Sequence, residues 1–264
     1  MATPGTTNQR RDWTRAELLK ALSLYCQIPF GQFHSKNRHV IALAADIGRT
    51  PSSVSLKLTN LASLDPYHKA RGVSGMSNAS RGDRSVWDEF YGRWDTLAEA
   101  STESLVREAN KEEPALAEPT LVLPRRDPAA TEGVRAVTVR IGQAFFRNAV
   151  LAAWGDRCAI TDISEPGLLR ASHIRPWSSH PESRLDLSNG LCLNALHDAA
   201  FDRGLITFSD RFELKLSKGL RQTVPASVYA EMFAKKEGTP LRSPDRFGPS
   251  GEAMEHHRRT VFCP

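Results

Sequence analysis

Cysteine is scarce in this chain of 264 residues, and what there is lies scattered: Cys26, Cys158, Cys192 and Cys263 nowhere form a C-x₂-C pair. That spacing supports neither a disulfide-stapled scaffold nor a four-cysteine zinc knuckle, so no structural zinc is expected and the thiols read as core residues. No apolar run approaches the roughly 20 residues needed to cross a bilayer, and the N-terminus lacks the hydrophobic core of a signal peptide. A cytoplasmic chain with no membrane partner is the expectation. Internal repeats are lacking as well.

What is present is ordinary core material, 40% hydrophobic residues, sufficient for two domains at this length. Charge is uneven. The net value is +5, but residues 10–84 carry twelve Lys/Arg against five Asp/Glu, whereas residues 88–118 carry nine acids against three bases. The first segment suits a polyanion.

Patterning in that segment predicts helices. Thr14 as cap and Glu17 at the capping-box position open a helix with Leu18, Leu22 and Tyr25 on one face, ending before Pro29. Val40, Ile41, Ala44 and Ile47 mark a second helix, which Gly48 ends. Thr50-Pro51 then supplies the N-cap and first-turn proline of a third, with Val54, Leu58 and Leu61 inward. Two helices about a glycine turn make a helix-turn-helix pattern. In it, Ser52, Ser53, Ser55, Lys57 and Asn60 face outward toward phosphates or base edges in a major groove, and Arg49 lies near the DNA backbone.

Residues 71–84 read as a polar, glycine-rich loop, and Trp87, Phe90, Tyr91 and Trp94 as a packed helical stripe. Residues 111–133, with four prolines and clustered charges, read as a linker. The expected organisation is therefore a helical DNA-reading domain over 1–110, a linker over 111–134 and a second domain over 135–264. In the latter, residues 135–141 alternate like a strand, 143–154 read as a helix, 212–216 as a strand, and 225–235 and 254–259 as helices. His256 and His257, adjacent and so facing different sides of a helix, are placed at the surface or near DNA rather than in a second metal site.

Chemistry concentrates in residues 170–206, RASHIRPWSSHPESRLDLSNGLCLNALHDAAFDRGLI. His173 ends a short apolar segment, Asn189 follows sixteen residues later, and His197 comes eight after that on a helix-like run. Asn189-Gly190 reads as a turn feeding a buried strand over Leu191, Cys192 and Leu193, with Asn194 capping a helix through Phe201. Phosphodiester hydrolysis needs a base to deprotonate water, a divalent cation to neutralise phosphoryl charge, and a rigid frame for both.

This spacing, with the Cys158-Ala159-Ile160-Thr161 entry, Ser172-His173-Ile174 and His197-x-x-x-Phe201-Asp202-Arg203-Gly204, resembles the HNH endonuclease family from about residue 137 to 262. The resemblance implies a C-terminal ββα-metal HNH nuclease domain, which with the N-terminal helical, helix-turn-helix-like domain read from patterning makes an α+β chain. It implies that His173 is the base, that Asn189 holds the base loop in position, and that His197 carries a Mg²⁺ or Mn²⁺ ion. Ser172 stands where many members have a metal-binding Asp or His, and Phe201 where many have a further helix His. Asp202 is therefore added to the expected metal ligands, with Asp198 as a neighbouring carboxylate. Arg175 and Arg203 are candidate phosphate clamps. The resemblance further implies double-stranded DNA as partner, cleaved by a homodimer or by successive nicks, and a restriction or defence role extending to 5-methylcytosine DNA. A contrasting reading, motivated by Ser172 and Phe201, is a DNA-binding regulator with a catalytically degenerate HNH fold.

Overall fold

The computed structural model describes residues 11–72, 78–109 and 132–264. The linker reading, up to residue 131, and the middle of the glycine-rich loop lie outside these. Six helices come first: α1 (Arg15–Gln27), α2 (Arg38–Asp46), α3 (Pro51–Ala62), α4 (Pro66–Ala70), α5 (Arg81–Phe90) and α6 (Trp94–Ala109). The Thr14–Glu17 capping box forms as the sequence predicts. Thr50 caps α3 from the expected position, and Gly48 turns the chain between α2 and α3 with φ of +62°, a conformation open to glycine at little strain. The loop reading over 71–84 runs too far. Ser80 and Asp83 make a second capping box, so α5 already begins at Arg81. Trp87, Phe90 and Trp94 are buried as the stripe predicts.

A long helix, α7 (Glu132–Ala153), takes in the residues whose alternation suggested a strand. Phe145, Phe146, Ala149, Val150 and Ala153 bury one helical face, and neither Gly133 nor Gly142 breaks the run upstream. This face has two clients. On one side it packs against α1 and α6, and on the other against a hairpin of β1 (Leu169–His173) and β2 (Gly190–Asn194). β1 and β2 are antiparallel, with His173 opposite Gly190. Gly190 is required by this packing, since a Cβ there would stand 2.3 Å from Val150 Cγ2.

α8 (Ala195–Asp202) follows β2 directly and covers the hairpin's other face. Asn194 caps it, its Oδ1 accepting from the amides of Leu196 and His197. A second hairpin, β3 (Ile206–Phe208) with β4 (Leu214–Leu216), two short helices α9 (Leu220–Thr223) and α10 (Ala226–Val228), and the terminal α11 (Gly251–Thr260) complete the chain.

The two halves share a buried seam. Arg246 is fully buried and donates to the carbonyls of Cys26 and Ile28, with its guanidinium 4.6 Å from the Tyr25 ring centroid. Trp94 packs edgewise on Phe247, and Arg71 donates to the carbonyls of Pro244 and Asp245. Among the described residues no helix is long and apolar enough to cross a membrane.

Candidate active site

β1 delivers His173 to the floor of a cleft of about 540 Å³, lined among others by Arg147, Arg170, Ser172, Trp177, Asp198 and Asp202. The His173 ring is held on three sides. Phe146 of α7 stacks on it, Trp177 meets it edge-on, and Nε2 donates to the Arg184 carbonyl at 3.0 Å. A carbonyl can only accept, so Nε2 carries the hydrogen and Nδ1 keeps the basic lone pair. Burial holds this imidazole below the usual histidine range, against the opposing pull of the Arg184 carbonyl and the Asp198 charge. It is therefore neutral, hence basic, at neutral pH.

Asn189 closes the sixteen-residue loop between β1 and β2. Its Oδ1 accepts from the Arg175 amide at 2.8 Å, and its Nδ2 donates to the carbonyls of Ser183 and Arg175. Those bonds pin both ends of the segment that contains Trp177, with Arg184 immediately after it, and a buried amide satisfied in this way makes the loop rigid.

The structure corrects the metal assignment of His197. Its side chain is fully buried, facing the core rather than the cleft. Nε2 donates to the Met232 carbonyl at 2.8 Å, Nδ1 accepts from Asn194 Nδ2 at 2.8 Å, and Phe233 packs against the ring. With both nitrogens engaged, no lone pair is left for a cation. Asn194 Nδ2 also reaches Thr161 Oγ1 and Cys158 Sγ, so Cys158, Thr161, Asn194 and His197 form a hydrogen-bonded staple beneath the hairpin.

The residues that do reach the cleft are the next along α8. Asp198 and Asp202 are one turn apart and line it together with His173. Burial raises both carboxyls, and the Asp198 charge helps push Asp202 up to about 6. The Ser172 hydroxyl, Arg170 and His173 pull Asp198 the other way. Two carboxylates that resist joint ionisation, next to a hydroxyl, form an oxygen donor set suited to a hard divalent cation. They are a pair, since among the described residues no group of three His, Cys, Asp or Glu is set to hold a metal ion. The acidic i, i+4 spacing on a capped helix was the signal available in the sequence.

The arginines at the cleft also differ from expectation. Arg175 lies outside the cleft, paired with Glu252 at 2.6 Å, and Arg203 is exposed but does not line it. Arg147 and Arg170 line it instead, each anchored to main-chain carbonyls of the 166–169 turn. Phe201 is core, stacked on a buried His257 whose ring bridges Thr207 and the Phe201 carbonyl, so His257 is not a surface residue.

On α3, Ser52 is exposed and Ser53 half-buried, but the other expected DNA contacts are committed internally. Lys57 is buried in an ion pair with Asp83 at 2.7 Å, and Arg49 clamps Glu17 while stacking over Trp13. Ser55 donates to the Phe33 carbonyl, and Asn60 is buried. Their neighbours Val54, Leu58 and Leu61 draw that face of the helix into the core.

β1, β2 and α8 thus form a ββα unit, with a histidine from the strand and carboxylates from the helix lining one cleft. Comparison with protein families agrees: residues 158–209 match the family described as HNH endonuclease, which bears out the resemblance over that segment. No curated protein matches the chain.

Proposed function

We propose that this chain is a divalent-cation-dependent DNA endonuclease, and that Asp198 and Asp202, not His197, hold the cation. The observation that carries this reading is the meeting of His173, Asp198 and Asp202 in one cleft. A cation bound there, Mg²⁺ or Mn²⁺, would supply neutralisation of charge on the scissile phosphate. His173 takes a proton from the attacking water at Nδ1, while its Nε2–H stays on the Arg184 carbonyl and fixes the ring plane. Asn189 keeps the base loop in register through its three main-chain bonds. Arg147 and Arg170 attract the DNA backbone to the cleft wall.

Double-stranded DNA is the proposed substrate, cut by two copies or in two nicks, with α2 and α3 as a further contact surface through Ser52 and Ser53. A restriction or defence role and a preference for cytosine-methylated DNA extend the same reading. A regulator that binds DNA without cutting is the competing reading, favoured by the lack of a third protein ligand among the described residues.

Plasmid nicking by the pure chain with Mg²⁺, Mn²⁺ or EDTA, beside His173→Ala, separates the two. Cation-dependent nicking lost in the variant is the expected outcome. Unchanged DNA binding with no cutting of methylated or unmethylated plasmid would establish the regulator.

A further inference from the structure

We propose that His180 and His256 form a second, separate metal site that takes a borderline transition-metal ion such as Zn²⁺ or Ni²⁺. His180 belongs to the loop between β1 and β2, and His256 to α11. Their Nε2 atoms face each other at 3.1 Å, with the rings close to perpendicular. Two nitrogen ligands of a tetrahedral ion, each about 2.0–2.1 Å from the metal, stand roughly 3.3 Å apart. The pair is thus within a small ring tilt of that spacing. Neither histidine lines the cleft of His173.

Protonation suits the role. Glu182 Oε1 lies 3.1 Å from His180 Nδ1 and, as a carboxylate, accepts its hydrogen, which leaves the Nε2 lone pair of His180 bare. A carboxylate behind a histidine in this way fixes the tautomer and orients the ring toward a metal. His256 needs only to carry its hydrogen on Nδ1 to offer the second lone pair. Imidazole favours zinc, copper and nickel over magnesium, so this site and the oxygen-lined cleft select different ions.

An open cavity of about 420 Å³ lies beside His256, lined by Arg175, Glu252, Glu255, Arg259 and Thr260. Glu252 stands one turn before His256 on α11 and its side chain is 82% exposed, paired with Arg175. The charges of Arg175 and Arg259 are countered there by Glu182, Glu252 and Glu255. Two imidazoles make a half-site, and water or a swung Glu252 completes the ion's coordination.

Binding would tie the loop that carries the Arg184 carbonyl to the last helix. That carbonyl fixes His173, so the ion would stiffen the base loop from outside the cleft.

Calorimetric titration of the tag-free chain with Ni²⁺ and with Zn²⁺, without Mg²⁺, tests the proposal alongside far-UV circular dichroism to verify folding. One equivalent should bind, vanish in His256→Gln and in His180→Gln, weaken by about tenfold in Glu182→Gln, and persist in Asp198→Asn. Thermal midpoints should rise with Ni²⁺ in the native chain and in Asp198→Asn, but not in either histidine variant. Native-like binding in both histidine variants would overturn the proposal, as would loss of the equivalent in Asp198→Asn but not in His256→Gln. Should His256→Gln not fold, His180→Gln, in a loop, decides the matter. None of these outcomes depends on DNA cleavage, so failure here leaves the nuclease reading untouched.

Discussion

The imidazole of His173 lies flat on the Phe146 ring, with centroids 4.0 Å apart and planes 9° from parallel. A core residue of α7 thereby sets the plane of the proposed base. Such ring pairs contribute about 0.5–1.5 kcal/mol beyond burial. Phe146→Leu, which keeps apolar bulk, should slow single-turnover nicking by up to about tenfold with DNA affinity nearly unchanged. An unaltered rate in a folded variant would show that the stack does not orient the base.

The exchange of roles between adjacent helix positions is directly testable. Asp198→Asn and Asp202→Asn should each abolish cation-supported cleavage and weaken Mn²⁺ binding while leaving the fold intact. His197→Ala should do the reverse: it opens a cavity and strands the Met232 carbonyl and Asn194 amide, at a stability loss of roughly 2–4 kcal/mol. Urea unfolding and Mn²⁺ titration on the same three variants distinguish the cases. A stable His197→Ala protein that no longer binds Mn²⁺ would restore the imidazole as ligand.

Asn194 holds three jobs at one position, as strand end, helix cap and centre of the Cys158–Thr161–His197 staple. Losing the cap alone costs about 1 kcal/mol, and stranding buried partners adds about 1–3 kcal/mol. Asn194→Ala should therefore lower unfolding free energy by roughly 2–4 kcal/mol, whereas an exposed alanine substitution such as Ser52→Ala should change it little.

Burial, opposed by the hydrogen bond to the Phe201 carbonyl, pushes His257 down to about 4. The unfolded chain then binds a proton at higher pH than the folded one does. Stability from this residue is complete above about pH 6.5 and is lost as pH falls toward 4, by up to about 3 kcal/mol. His173 and His197, also lowered by burial, act in the same direction. Denaturant midpoints measured between pH 8 and pH 4.5 should fall on acidification, and fall less in His257→Gln. Equal acid sensitivity in the two proteins would assign the effect to other groups.

Local signals in the chain were readable where they depend on neighbours in sequence. The Thr14–Glu17 box, the Thr50-Pro51 helix start and the Asn194 cap all follow from side chains bonding to amides two or three residues away. Residues 135–141 misled because alternation over seven positions fits a strand and a helix face almost equally, and only the packing of α7 against α1, α6 and the hairpin decides between them.

Sequence alone therefore determined which segments line the proposed site: a histidine on a strand, an asparagine behind its loop, and a capped helix beside them. Which face of that helix meets the cleft was decided by tertiary structure. Adjacent helical positions point about 100° apart, so one step separates His197 in the core from Asp198 at the cleft. The same holds for α3, where Lys57 reads as a DNA contact until Asp83, 26 residues away, is brought within 2.7 Å of it. Burial on a helix depends on what packs against it, and that partner lies elsewhere in the chain.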